Sequence, residues 1–361
     1  MHGHKRSEYK ARMRDPKVAA GLQHKANQWF KLDQGLQGLQ NQGLQDSKDS
    51  TLELTANMLQ VNPDPLYLWD RRRSMLIDTN TSALDYLKEE LTLTQKCLER
   101  NPKAYGAWFH RKWCILQQQQ SSNDDVVNNN NDDVLLKGEI ALTTQFLNLD
   151  ERNFHCWNYR RFIVGCLCNG GKDGEICVKQ KVLFGSQVGG GAAPSTGVKH
   201  DDDDDNITIV QSSTALLQSE FEFTTTKIQQ NFSNGSAFHY RSKLLPLFVG
   251  TNLFSLDDEL ELAHNAMFTE PDDQTAWWYY DFLLEDYGNE MDLDVEKEML
   301  EELIEVEGGQ SKWGLLGLYQ VVSRMAGQES RQREILESLK MLDPVRSARY
   351  NDMLKSILMI E

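Results

Sequence analysis

The chain has 361 residues, 40% of them hydrophobic, and carries a formal net charge of −16 at pH 7. That length allows one large core or two smaller domains. The average field repels a phosphate backbone, which argues against a nucleic-acid partner, and no run of about 18 apolar residues is present to span a bilayer.

The opening residues, MHGHKRSEYK, are charged with no apolar stretch behind them, so they do not read as a secretory signal. The six cysteines stand at 97, 114, 156, 166, 168 and 177, without the spacing of a disulfide framework. They read as reduced thiols, which points to the cytoplasm. Residues 33–48, with the echo QGLQGLQNQGLQ, read as a low-complexity linker that closes an N-terminal segment over 1–48.

From residue 49 onward a repeat organises the chain. Its marker is Trp69, Trp108, Trp157, Phe238 and Trp277, continuing more faintly at Trp313 and Tyr350. Seven places before the marker stand Asn62, Asn101, Asp150, Asn231, Glu270 and, ahead of Tyr350, Asp343. Three places after it stand Arg72, Arg111, Arg160 and Arg241, with Tyr280 breaking the rule. Successive markers lie 39, 49, 81, 39, 36 and 37 residues apart. The two long gaps contain inserts, so the unit is the size of a helical hairpin.

Each unit opens on turn chemistry, as at Asn62-Pro63, Asn101-Pro102, Glu270-Pro271 and Asp343-Pro344. Asn153, Asn234 and Asp273 are placed to cap the helix that follows. The stretches before the turns, such as LTLTQKCLER and IALTTQFLNLD, carry apolar residues at helical spacing. A single hairpin cannot bury its apolar face, so successive hairpins must stack. Tryptophan and arginine three residues apart share one helix face. Their plain reading is structural: tryptophan as repeat core, arginine paired to a neighbouring unit.

Two stretches interrupt the repeats and read as disordered surface inserts. Residues 117–133 are polar, and residues 169–206 hold Gly-rich segments and the run Asp201 to Asp205. That run lacks the glycine and terminal glutamate of a calcium loop and reads as a solvated charge block. No metal site stands out. Cys166, Cys168 and Cys177 lack a second ligand pair at zinc spacing. His2 and His4 read as a flexible polar pair, although an imidazole at His2 could in principle reach a zinc ion held elsewhere.

Five residues before the marker the units carry Asp64, Lys103, Arg152, Ser233 and Asp272. Only the second and third are basic, and both are followed two places on by an aromatic residue, Tyr105 or Phe154. Taken alone, Lys103 reads as an exposed turn lysine.

The N-x₆-W-x-x-R units resemble the repeats of the protein prenyltransferase α-subunit family over roughly residues 50–361. DERNFHCW, NFSN and the opening Met-His-Gly resemble its Rab geranylgeranyltransferase branch more than its farnesyltransferase branch. The immunoglobulin-like and leucine-rich domains of some Rab-type α subunits have no counterpart here, which matches the shorter form. The resemblance implies an all-α fold: a right-handed, crescent-shaped superhelix of stacked antiparallel hairpins, related to tetratricopeptide repeats. It implies a heterodimer with a β subunit that holds the zinc and the lipid tunnel. It also implies transfer of geranylgeranyl from its diphosphate to C-terminal cysteines of Rab GTPases presented by an escort protein. By the same resemblance Lys103 matches the family's diphosphate-contacting lysine and Tyr105 its companion tyrosine. Arg152 and Asn153 fall at the same substrate interface. Two other readings stay open: the α subunit shared by farnesyltransferase and type I geranylgeranyltransferase, and a helical-repeat adaptor with no catalytic role.

Overall fold

A computed structural model describes residues 15–40, 48–77, 83–122, 129–168, 211–248 and 254–358. The described residues form fifteen α-helices and two short 3₁₀ turns, with no strand. They fall into two compact units, one ending at Cys168 and the other starting at Gln211.

The first unit begins with α1 (Pro16–Gln40). Three hairpins follow: α2 (Lys48–Val61) with α3 (Leu66–Ile77), α4 (Ala83–Arg100) with α5 (Tyr105–Ser122), and α6 (Asn129–Leu149) with α7 (Phe154–Cys168). Helix α1 packs on α2, while α3, α5 and α7 pack side by side as a layer. The second unit has four hairpins: α8 (Gln211–Gln230) with α9 (Gly235–Leu244), α10 (Leu256–Thr269) with α11 (Gln274–Tyr287), α12 (Leu293–Val306) with α13 (Lys312–Val322), and α14 (Glu329–Leu342) with α15 (Ser347–Leu358). Here α9, α11 and α13 form the corresponding layer.

Local chemistry explains each hairpin corner. The side chains of Asn62, Asn101 and Asn231 each accept from the backbone N–H two residues on, at 3.2, 3.2 and 2.9 Å. This Asx turn reverses the chain, at Asn62 and Asn101 with a proline next in sequence that cannot continue the helix. The tryptophan then locks the corner. Trp69, Trp108, Trp157 and Trp277 donate their indole N–H to the carbonyl six residues earlier, at 2.7–2.9 Å. Asn153, Asn234 and Asp273 cap the helices that follow. The sixth corner is built differently: Gly308 and Gly309 adopt φ of +62° and +76° and close α12. Its buried marker is therefore Leu315, four residues after the capping Ser311, and not Trp313, which is only partly covered. Tyr350 is fully buried, and its hydroxyl donates to Asp343 at 3.0 Å, so the seven-residue offset is here a direct hydrogen bond.

The structure redraws the segment boundaries. Residues 33–40 belong to α1, where leucines at 32, 36 and 39 keep helical spacing and Leu36 is buried. Residues 117–122 and 129–133 also lie in helices, α5 and α6. The glutamine run is a good helix former. Residues 123–128 and 169–206, like His2 and His4, lie outside the described residues.

Candidate functional site

A buried polar circuit joins consecutive hairpins. Arg72 on α3 forks onto Glu90 of α4, its Nε donating at 2.9 Å. His110 of α5 sits 2.7 Å from the same carboxylate through Nε2. The indole of Trp69 packs on the His110 ring, 4.8 Å between centroids. The next joint repeats the scheme. Arg111 forks onto Glu139 at 2.6 Å twice, Tyr159 donates to Glu139 at 2.9 Å, and Trp108 packs on Tyr159 at 5.2 Å. In the second unit Arg241 forks onto Glu259, Tyr279 donates to it, and Phe238 packs on Tyr279. The remaining guanidinium nitrogen binds a threonine hydroxyl of its own hairpin: Thr55, Thr94, Thr143 and Thr224 serve Arg72, Arg111, Arg160 and Arg241.

These carboxylates and guanidinium groups are almost fully buried. Burial alone would raise the Glu90 carboxyl, but hydrogen bonds from His110 and Arg72 outweigh it and hold the group at about 2. Burial drives His110 the other way, below the usual histidine value, against the pull of Glu90. The marker and arginine positions are thus the joints between hairpins.

The hairpin corners also interlock. Within the first unit Asn101 donates to Asp64 at 3.0 Å, the Lys103 ammonium lies 3.2 Å from Asp150, and Asn153 donates to the Pro102 carbonyl at 2.9 Å. In the second unit the one Ser233 hydroxyl proton is shared between carboxylate oxygens of Glu270, 2.8 Å away, and Asp273, 2.6 Å away.

Lys103 stands among these corners with its side chain 46% exposed. Tyr105 is 57% exposed, with its ring 6.2 Å from Phe109 and 5.8 Å from His155. Phe154 is 59% exposed and packs on His155. Burial and the Lys103 charge push the His155 imidazole below its ordinary value, and the Arg73 guanidinium lies over the Phe109 ring, 5.0 Å from its centroid. Leu66, Tyr67 and Phe109 are likewise left exposed by the described residues. Arg152 is exposed on the neighbouring corner. Asn153 is different from expectation. It is 2% exposed, its oxygen caps α7 at His155 and Cys156, and its amide holds Pro102. It braces the Lys103 turn and does not face solvent, where a substrate would meet it.

Among the described residues no group of His, Cys, Asp or Glu is arranged to hold a metal ion, and no helix is long and apolar enough to cross a membrane. Cys97 and Cys156 are buried, and burial pushes both thiols up to about 12, far from the thiolate a zinc ion takes.

The sequence pattern alone did not single out Glu90, Glu139, Glu220, Glu259 and Glu296, the partners of the arginine and aromatic positions. A signal was present: Glu-x₃-Thr recurs at 90–94, 139–143 and 220–224, always 18 and 14 residues before the marker.

Fold and corner chemistry together define a class, the helical-hairpin repeat protein with a tryptophan-locked corner and an arginine-to-glutamate joint. A family model described as the protein prenyltransferase alpha subunit repeat matches residues 87–118, 136–167 and 217–248, each running from an outer helix through its corner into the marker helix. Over these residues the chain is similar to the repeats of the protein prenyltransferase α-subunit family. It is similar to the geranylgeranyl transferase type-2 subunit alpha of Rattus norvegicus, 32% identical over 65% of this chain and 34% of that protein. The match spans about a third of such mammalian relatives. The subunits of the same name from Candida albicans and Saccharomyces cerevisiae are 25% identical, over 85% and 84% of both chains. Among solved structures, that of Candida albicans protein geranylgeranyltransferase-I complexed with GGPP shares the fold, with a TM-score of 0.54 and 18% identity over 85% of this chain and 83% of that one.

Proposed function

We propose that this chain is the α subunit of a heterodimeric Rab geranylgeranyltransferase. It scaffolds a zinc-bearing β subunit, while the heterodimer transfers geranylgeranyl from its diphosphate to C-terminal cysteines of Rab GTPases delivered by an escort protein. The observation that carries the reading is Lys103: a half-exposed ammonium on a braced corner, beside aromatic rings that the described residues leave exposed. The type-2 names of its relatives support the Rab assignment over the shared farnesyltransferase and type I subunit.

The zinc of the partner would supply an activated sulfur nucleophile. This chain's part is electrostatic. As the carbon–oxygen bond of the lipid diphosphate breaks, negative charge collects on the leaving group. An ammonium already held at that place stabilises the transition state more than the ground state. Tyr105 can donate a hydroxyl to the same group. The exposed rings around them give the partner an apolar surface to cover, which keeps water from the charge.

The test is co-expression with the candidate β subunit and single-turnover transfer at saturating lipid and Rab–escort complex. Lys103→Ala is expected to slow that step by about 10- to 10³-fold, the scale of a lost electrostatic donor, with assembly intact. Transfer that needs no escort protein would favour the shared type I reading, and a heterodimer that forms but transfers nothing would favour the adaptor.

A further inference from the structure

We propose that Asp150 is an internal counter-ion for Lys103: its carboxylate holds the place that an incoming diphosphate takes over, and so limits how tightly this corner grips the group. The inference rests on the diphosphate reading of Lys103 and adds a residue to it.

Three corner contacts follow one rule, in which the residue five before one marker meets the residue seven before the next. They are Asp64 with Asn101, Lys103 with Asp150, and Ser233 with Glu270. In two of the three a carboxylate meets a neutral partner, so the interlock needs no ion pair. At 62, 101 and 231 the asparagine oxygen accepts from its own corner, the Asn101 amide also reaching Asp64, whereas the Asp150 carboxylate meets the ammonium of the neighbouring corner at 3.2 Å.

The Lys103 corner does not depend on that contact for its position. Asn153 holds the Pro102 carbonyl at 2.9 Å, Asn101 holds the Lys103 N–H at 3.2 Å, and Trp108 holds the Pro102 carbonyl from the other side at 2.8 Å. The ion pair itself is open to water, its side chains 46% and 34% exposed. Pairs of this kind are weak and exchange readily. A diphosphate brings several oxygens and more than one negative charge, so it displaces a single carboxylate and meets the repulsion of the one it displaced.

The experiment uses the assembled heterodimer with inorganic pyrophosphate as probe, read as its inhibition constant against the lipid diphosphate. Asp150→Asn places at this corner the residue that Asn62, Asn101 and Asn231 place at theirs. It is expected to tighten pyrophosphate about 3- to 10-fold and to lower KM for the lipid diphosphate, with the single-turnover rate at saturation within about twofold, since a lost surface ion pair is a small effect. Asp150→Ala should move the inhibition constant the same way, and Asp150→Glu should return it to the wild-type value. In a Lys103→Ala background the Asp150→Asn change should have little further effect, because the two residues act as one pair. Unchanged or weaker pyrophosphate inhibition in both charge-removing variants overturns the proposal, whether or not their melting midpoints fall. If Lys103→Ala alone leaves pyrophosphate inhibition untouched, the diphosphate reading of that lysine fails first, which is a separate result.

Discussion

The Tyr280 hydroxyl donates to Glu296 at 2.7 Å, from the position where four other hairpins carry arginine. The residue that breaks the repeat pattern therefore keeps its physical role, because a group on one hairpin still satisfies the buried carboxylate of the next. His264 completes the joint from α10, its Nε2 3.0 Å from the same oxygen. Tyr280→Phe should leave that oxygen with the histidine alone. Stripping a partner from a buried acceptor costs about 1–3 kcal/mol. A fall of that size in the urea unfolding free energy, with helix content unchanged, is the expected result; a neutral variant would mean that His264 suffices.

Arg111 and Glu139 test the charged version of the joint. Both are buried, and their two hydrogen bonds of 2.6 Å leave no room for water between them. Arg111→Ala strands a buried carboxylate and should cost about 3–5 kcal/mol. The Arg111→Met, Glu139→Leu pair removes both charges and should cost markedly less than the sum of the single changes. Arg111→Lys should not rescue, because one ammonium cannot reach two carboxylate oxygens and Thr94 together. Denaturant unfolding of the four proteins supplies the double-mutant cycle, and simple additivity would contradict the coupling.

Buried His110 and half-buried Asp281 predict opposite pH effects. His110 has a folded-state proton affinity below the ordinary histidine value because it is buried. The unfolded chain takes up that proton near about pH 6.5, so acidification favours unfolding, and the contribution is full above that pH and lost below it. Asp281 runs the other way: burial raises it to about 6, against a hydrogen bond from Gln320. Its contribution is present below the unfolded aspartate value and is lost as pH rises through about 6. His110→Gln should therefore flatten the acid side of the stability curve below about pH 6.5. Asp281→Asn, which keeps an acceptor for Gln320, should raise the unfolding midpoint at pH 7.5 and leave it nearly unchanged at pH 4. Parallel curves for wild type and variant would refute either assignment.

The legible part of this fold was what a short window can hold. The Asn-Pro corner, the cap and the marker tryptophan lie within eight residues, so the pattern from Asn101 to Trp108 already contains the reason for its geometry. The joints were half legible. Arg111 announced itself by spacing, but Glu139 lies 28 residues away across a polar insert whose length differs from unit to unit. Nothing local says which of the acidic residues on α6 faces inward. The sixth corner misleads for a related reason: Gly308 and Gly309 replace the Asx turn, which shifts the buried position from the visible Trp313 to the unremarkable Leu315. At the candidate site the sequence could mark Lys103 as basic where most corners are acidic or neutral. It could not show that Asn153, an asparagine at an equally prominent position, spends its side chain inward.

Asn153 separates bracing from substrate contact. Its oxygen caps α7, and its amide holds the Pro102 carbonyl one residue before Lys103. Aspartate is an equally good capping residue, so Asn153→Asp should retain the cap while losing the donor to Pro102 and setting a carboxylate against that carbonyl. Alanine loses both and should cost about 1–2 kcal/mol for the cap alone. If the brace positions Lys103, Asn153→Asp should slow single-turnover transfer several-fold with little change in the affinity of the heterodimer for its lipid diphosphate, because the ammonium remains but is no longer held in place. A direct substrate contact predicts the reverse: a large rise in KM with the rate at saturation preserved. Measuring both constants for the aspartate variant, beside its urea midpoint, decides between them, and an Asn153→Asp enzyme with wild-type values for both would remove this residue from the site altogether.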